Sequence, residues 1–297
     1  MQYLKEYDVD QNKDPAEKIR SFQDILPAFH KLYNKTVLIK LGGSVLENNS
    51  LIQNIFEDIS LLKMIGARVV VVHGGGKKIS RLLSERGIET KFVGGYRVTD
   101  AKSIETVEMA LSGAVNQAIV QGLNNAELQA VGLSGKDAGL IVASKKTVDD
   151  GDIGFVGEVE SVDSKLLELL LDAEYVPVIS PISANVRGET LNVNADDAAL
   201  AVAESLGVDT LVFITDVDGI LLDVNNDKTL IHHLDIAKAK SLLENGFIGG
   251  GMLPKLHNCI KSIENGVQEV VILNGTVKYN LVSNFVTPHK IGTTIGK

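Results

Sequence analysis

Short runs of Val, Ile and Leu with almost no polar alternation recur along this chain: Val37–Leu41, Arg68–His73, Ala130–Leu133, Leu140–Ala143, Tyr175–Ser180, Thr210–Thr215 and Val270–Leu273. A strand with one face in water alternates apolar and polar residues, whereas a strand covered on both faces does not. Between these runs lie segments of helical periodicity around Leu51–Ile65, Lys77–Arg86, Ala101–Leu123, Ser164–Asp172, Asp196–Leu206, Ile236–Glu244 and Lys255–Asn265. Strands buried on both faces and joined through helices predict an α/β fold with a largely parallel central sheet and helices on both sides. Phe155–Val162 reads as a separate hairpin segment outside that alternation.

The 297 residues suffice for one large α/β domain or two lobes sharing a sheet. A net charge of −9 with no block of Lys or Arg argues against a nucleic-acid or anionic-membrane surface. No apolar run is long enough to cross a bilayer, and the opening MQYLKEYDVD lacks a basic–apolar leader, so a cytoplasmic protein is the expectation. The single cysteine, Cys259, sits in an apolar-periodic stretch and reads as a small buried residue rather than a reactive thiol.

Residues 1–35 stand apart. Asp14, Pro15 and Glu17 make a helix start, with Asp as N-cap and Pro in the first turn. Ile19, Phe22, Ile25, Leu26, Phe29, Leu32 and Tyr33 then follow helical spacing, and Pro27 is expected to kink or split the helix. The stripe could pack on its own domain or serve as an arm buried on another subunit.

Four segments carry the chemistry. Lys40-Leu41-Gly42-Gly43 ends a buried strand in a cation followed by two glycines, whose backbone N–H groups can approach a phosphate. His73-Gly74-Gly75-Gly76-Lys77 opens a helix, where free N–H groups and the helix dipole favour an anion; His73 itself reads as a hydrogen-bonded core histidine. Gly249-Gly250-Gly251-Met252-Leu253-Pro254-Lys255 leads into a helix beginning near Pro254, and a lysine there makes electrostatic sense beside a bound anion. Asn192-Val193-Asn194-Ala195-Asp196-Asp197 can supply an N-cap or hold lysines and Mg²⁺. The chain has no G-x-x-x-x-G-K-[ST], no G-x-G-x-x-G in its first βα unit and no zinc-ligand spacing.

Those segments, with Gly95-Tyr96-Arg97-Val98-Thr99 between the second and fourth, resemble in order and spacing the N-acetylglutamate kinases of the amino acid kinase family, from about residue 36 to the C-terminus. The resemblance implies a two-lobed three-layer sandwich around a mostly parallel central sheet. Residues 36–208 would form the amino-acid-binding lobe and 209–297 the ATP-binding lobe. It implies catalytic roles for Lys40, Lys255 and Asp196, with Asp196 orienting both lysines, and substrate-binding roles for Gly75, Gly76, Arg97 and Asn192. The nucleotide site would use Gly42, Gly43, Asp216, Gly219 and Gly249, with Asp216–Leu221 and Phe247–Gly249 as its lining. ATP with Mg²⁺ is the implied cofactor, and no protein-held metal is expected. Arginine-inhibited relatives carry a kinked N-terminal helix that links three dimers into a hexamer, which gives residues 1–35 an expected role as an oligomerisation arm. Tyr279 and Asn284 depart from the His and Glu usual in arginine-sensitive relatives, so an arginine effector stands as a hypothesis and a PII-type regulator is unidentified.

The residue types suit the implied reaction independently. A glutamate side chain, with a pKa of about 4.3, is already ionised near neutral pH, so no general base is required. Repulsion between that carboxylate and the γ-phosphate is the obstacle, which placed lysines, backbone N–H groups and Mg²⁺ reduce. Rival readings are a kinase for another carboxylate and a non-catalytic amino-acid sensor. The presence of Lys40, Asp196 and Lys255 together argues against the sensor.

Overall fold

The computed structural model describes residues 14–43, 45–149, 151–223, 226–245, 252–287 and 291–296. The chain order is α1 (Pro15–Leu32), β1 (Thr36–Leu41), α2 (Asn49–Met64), β2 (Arg68–His73), α3 (Gly76–Glu85), β3 (Phe92–Val93), β4 (Tyr96–Arg97) and α4 (Ile104–Glu108). A π-helical turn (Met109–Val115) then leads into α5 (Asn116–Asn125), followed by β5 (Ala130–Ser134), β6 (Ile141–Lys145), β7 (Val156–Val162), α6 (Lys165–Asp172) and β8 (Val176–Ser180). The remainder is β9 (Ile182–Ala184), β10 (Thr190–Val193), α7 (Ala195–Leu206), β11 (Thr210–Thr215), β12 (His233–Asp235), α8 (Ile236–Glu244), α9 (Met252–Glu264), β13 (Glu269–Asn274), α10 (Asn280–Val286) and β14 (Thr293–Gly296).

Eight strands form one sheet in the order β12-β14-β13-β11-β1-β2-β8-β5. Every neighbouring pair is parallel except β13 with β14. Because successive side chains of a strand point to opposite faces, β1 serves two cores. Val37, Ile39 and Leu41 enter the core under α2, α5 and α10, together with Val69 and Val71 of β2. Leu38, with Val70 and Val72, enters the core under α6, α7, α8 and α9. The result is the expected three-layer α/β sandwich. Lys40 continues the face of Leu38 and so points toward α7 and α9.

Several expectations shift. Leu140–Ala143 leaves the main sheet: β6, β7, β9 and β10 close into a small barrel of their own. Phe155–Val162 is separate from the main sheet, but as barrel strand β7, pairing with both β6 and β10, rather than as a self-contained hairpin. α1 runs unbroken through Pro27, which lies inside it, so the proline does not split the helix. Proline removes one donor from the helical ladder, and the flanking bonds hold the element together. α9 begins at Met252, ahead of Pro254; a proline in the first turn has no helical bond to lose. Residues 1–13 of the N-terminal segment lie outside the described residues.

Candidate active site

Two consecutive parallel strands end side by side, and each continues into glycines. After β1, the Gly42 N–H donates to Ile214 O at 3.0 Å, holding the loop against β11. A Cβ on Gly42 would stand 2.8 Å from that same carbonyl oxygen, so only glycine permits the approach. After β2, the Gly74 N–H donates to Leu41 O at 3.1 Å, and α3 starts immediately, with Ile79 N–H bonded to Gly75 O at 3.0 Å. A Cβ on Gly43 would lie 3.7 Å from Gly76 N, so the two glycine loops are in contact. Among the described residues the N–H groups of Gly43, Gly75 and Gly76 donate to no protein acceptor.

The third wall is the junction of β10 and α7. Asn194 is the N-cap of α7: its Oδ1 accepts from Asp196 N at 2.7 Å and from Asp197 N at 3.4 Å. This cap frees the Asp196 side chain to turn toward β1, where its Oδ1 lies 2.7 Å from Lys40 Nζ. The angles fall short of a hydrogen bond, so the contact is an ion pair between a nearly buried lysine and a carboxylate about one quarter exposed. Among the described residues the ion pair of Asp196 is with Lys40. Lys255 lies in the first turn of α9, and both its charge and that of Asp196 act on the buried Cys259 thiol. Burial is the larger influence and pushes that thiol up to about 12, which makes it inert at neutral pH, as read from the sequence.

The fourth wall is the hairpin β3–β4. Arg97 Nη2 donates to Gly76 O at 2.8 Å and to Ser80 Oγ at 2.9 Å, and Nη1 donates to Thr90 Oγ1 at 3.2 Å. Its guanidinium also lies 4.8 Å from the centre of the Phe92 ring. These contacts anchor the hairpin to the start of α3. Opposite Arg97, Asn192 Nδ2 donates to Thr99 Oγ1 at 3.1 Å. The cleft so enclosed measures 220 Å³ and is lined by Lys40, Gly75, Gly76, Arg97, Asn192 and Asp196, among others. Six of the residues singled out in the sequence therefore meet in one cavity. Tyr96, Asn194 and Pro181 line it too; of these, Tyr96 and Asn194 fell within recognised motifs, while Pro181 carried no signal.

Asp216 and Gly219 follow β11, on the far side of β1. The Asp218 carboxylate there accepts from Asn274 Nδ2 at 2.7 Å, and Thr293 Oγ1 accepts from Ile220 N–H at 2.8 Å. Gly219 has φ +151°, and a Cβ would meet Thr293 Oγ1 at 2.4 Å, so this loop is pinned to β14 through a glycine. Gly249, with Phe247, Gly250 and Gly251, lies outside the described residues. No group of three or more His, Cys, Asp or Glu side chains suited to a metal occurs among the described residues, and none of their helices is long and apolar enough to span a membrane.

A parallel sheet whose adjacent strand ends carry glycine loops and a nearly buried lysine paired with a helix-start aspartate defines a phosphoryl-transfer architecture. The amino acid kinase family profile matches residues 35–274. The acetylglutamate kinase of Caldanaerobacter subterraneus subsp. tengcongensis is 43% identical over 284 residues, which cover 96% of this chain and 95% of that protein. Among solved structures, the N-acetylglutamate synthase of Neisseria gonorrhoeae complexed with coenzyme A and N-acetyl-glutamate aligns with a TM-score of 0.83 at 28% identity. The match covers 94% of this chain and 63% of that synthase, so the synthase is the longer protein. The same synthase complexed with coenzyme A and L-arginine aligns with a TM-score of 0.78 at 25% identity, over 94% of this chain and 65% of that one. The chain belongs to the amino acid kinase family, and by sequence it groups with the acetylglutamate kinases.

Proposed function

We infer that this chain transfers the γ-phosphoryl group of ATP to the side-chain carboxylate of N-acetyl-L-glutamate, giving N-acetylglutamyl 5-phosphate and ADP, the second step of arginine biosynthesis. One observation carries the reading at the level of chemistry: the Lys40–Asp196 pair sits at 2.7 Å in a cleft that also presents Arg97 and the unpaired N–H groups of Gly75 and Gly76. A carboxylate oxygen forms the new P–O bond while the bond from the γ-phosphorus to the β-bridging oxygen breaks. Both partners are anions, so the site's task is to offset charge. In this reading Lys40 and Lys255 stabilise the equatorial oxygens of the transferring group, and Asp196 holds Lys40 in place. Arg97 and Asn192 grip the amino acid, with Arg97 suited to a bidentate fork on its other carboxylate. Gly75 and Gly76 donate backbone N–H groups. Gly42, Gly43, Asp216, Gly219 and Gly249 border the nucleotide; residues 36–208 form the amino-acid-binding lobe, which reaches the nucleotide through Gly42 and Gly43, and 209–297 form the ATP-binding lobe. Mg²⁺, when bound with ATP, would supply further charge neutralisation, and no residue of this chain is assigned to hold it.

The proposal extends to assembly and location. Ile19, Phe22 and Tyr33 of the α1 stripe are 59%, 50% and 63% exposed, which supports burial on another subunit and a hexamer built as a trimer of dimers. Light-scattering mass tests this, and a dimer refutes it. Asn284 is fully buried, with its Oδ1 accepting from Ile291 N–H. Arginine as an effector is tested by activity at millimolar arginine, where unchanged turnover removes it. A cytoplasmic location fits a biosynthetic enzyme and is tested by fractionation.

The functional test is ATP-dependent acyl-phosphate formation trapped as the hydroxamate. N-Acetylglutamate is compared with glutamate, aspartate, N-acetylaspartate and N-acetylaminoadipate. Turnover with N-acetylglutamate alone is expected. Turnover only with a neighbour replaces the substrate, and turnover with none overturns the enzyme reading.

A further inference from the structure

Beneath the glycine loop lies a buried polar pair that the reaction as described does not use. His73, the last residue of β2, is 0% exposed, and Asn116, the first residue of α5, is 1% exposed. His73 Nδ1 lies 2.9 Å from Gly74 O, and its Nε2 lies 3.1 Å from Asn116 Nδ2. A carbonyl oxygen can only accept, so the proton is on Nδ1. Nε2 then accepts from Asn116, whose amide also donates to Val178 O at 2.9 Å. Burial lowers the imidazole pKa to about 4, which keeps the ring neutral and this tautomer in place.

Two departures from regular structure meet at Asn116, and a third joins them to the glycine loop. The helix leading into Asn116 is π-helical over Met109–Val115, the kind of local insertion that re-aims side chains and recurs at functional sites. A Cβ on Gly132 would stand 2.2 Å from Asn116 Oδ1, so β5 gives up a side chain to admit the asparagine. A Cβ on Gly75 would stand 2.8 Å from Leu111 Cδ2 and 3.1 Å from Val115 Cγ2, so the same π-turn backs the glycine loop. A stability role alone would be served more simply by apolar residues, because burying polar groups is costly even when they are paired.

The geometry of the peptide supplies the reason. In a trans peptide the C=O of one residue and the N–H of the next point in opposite directions, and the described residues contain no cis bond. With Gly74 O held against the ring on the core side, the Gly75 N–H is turned to the opposite side, where Gly75 lines the cleft. Without that hold, a peptide between two glycines can flip at little cost. We propose that His73 and Asn116 are positioning residues for phosphoryl transfer: they lock the Gly74–Gly75 peptide so that the Gly75 N–H, beside that of Gly76, faces the anionic reacting groups. The inference rests on the functional reading above.

The test compares two substitutions of similar polarity but different reach. The side-chain amide nitrogen of asparagine occupies the place of Nδ1, and that of glutamine the place of Nε2. His73→Asn preserves the donor to Gly74 O and is expected to lose less than tenfold in kcat. His73→Gln removes that donor and is expected to lose about 10² in kcat, the scale of one preorganised donor, with KM for both substrates within threefold of wild type. Equal kcat for the two variants, or the reverse order, overturns the proposal, as does a loss carried mainly by KM. Thermal midpoints recorded in parallel show whether stability tracks the same order; a stability loss without the kcat difference also overturns it. Absence of wild-type turnover would instead refute the functional reading. In ¹⁵N-glycine-labelled protein, the Gly75 amide resonance would then decide the positioning: it should respond to MgATP with N-acetylglutamate in wild type and His73→Asn, and not in His73→Gln. An identical response in all three variants overturns the positioning.

Discussion

Two buried ionisable side chains, His73 and Asp58, are displaced in opposite directions, and their effects on stability should mask each other. Asp58 lies in α2, 2% exposed, and its Oδ2 accepts from Leu281 N at 3.1 Å and Val282 N at 3.3 Å, at the start of α10. Its Oδ1 is buried with no partner. Burial outweighs the two backbone bonds and raises the carboxyl from 3.8 to about 6. The folded protein therefore holds that proton more tightly than the unfolded chain. The contribution is fully present below pH 3.8 and is lost as pH rises through about 6. His73 runs the other way. Its pKa falls from 6.5 to about 4, so its contribution is present above pH 6.5 and is lost as pH drops through about 4. At about 1.4 kcal/mol per tenfold change in proton affinity, each is worth about 3 kcal/mol across its window. Between pH 4 and 6.5 the two nearly cancel. Asp58→Asn removes the falling contribution, so its stability should rise by about 3 kcal/mol relative to wild type from pH 4 to 6.5. His73→Asn removes the rising one, so its stability should fall by a similar amount over the same range. Urea midpoints measured at fixed protein concentration, where assembly contributes equally, give the curves. Variant curves that run parallel to wild type would refute the assignment of these shifts to burial.

Lys40→Ala should lower kcat tenfold to thousandfold with a smaller change in KM, because the lysine's charge is needed most as the transferring group develops; unchanged steady-state turnover would remove Lys40 from the site. Arg97→Ala should raise the KM for N-acetylglutamate at least tenfold and spare the KM for ATP, checked by varying each substrate in turn. Gly42→Ala brings a methyl to 2.8 Å from Ile214 O and should cost about 1–3 kcal/mol in a urea titration, with a parallel drop in turnover as the loop leaves β11.

What was legible in the sequence follows the physics of burial. β1, β2, β8, β11 and β13 are covered on both faces, so their apolar runs stand out at any register. Of the barrel strands, β6 showed as the run Leu140–Ala143 and β7 as the segment Phe155–Val162, but β9 and β10 carry no such mark. β10 is Thr-Leu-Asn-Val with half its residues partly open, and β9 is three residues long. The edge strand β12 and its neighbour β14 are short, end in polar or small residues and depend on their neighbours for definition. The site was legible where chemistry demands a residue type: Lys40, Asp196, Arg97 and the glycines had spacing to give them away. The Lys40–Asp196 contact itself was implied by family resemblance, and only the strand's alternation together with the Asn194 cap explains it.

Asn116 had no such signal, because one asparagine in a helical stretch looks like any surface polar residue. The π-turn that aims it cannot be read from periodicity either, since one extra residue in a turn shifts a pattern no more than an ordinary helix end does. His73 was read as a satisfied core histidine, and it is one: both ring nitrogens are engaged. Being satisfied and being functional are compatible here, because one of its partners is the carbonyl of a peptide whose other side borders the cleft. The polar pair, the π-turn and the side-chain-free position at Gly132 each break a local preference; His73 and the π-turn touch the glycine loop directly, and Gly132 makes room for the Asn116 that holds His73. Irregularities scattered over a fold suggest tolerance; irregularities that share one neighbour suggest a requirement at that neighbour. The neighbour shared by His73 and the π-turn is the peptide that presents the Gly75 N–H.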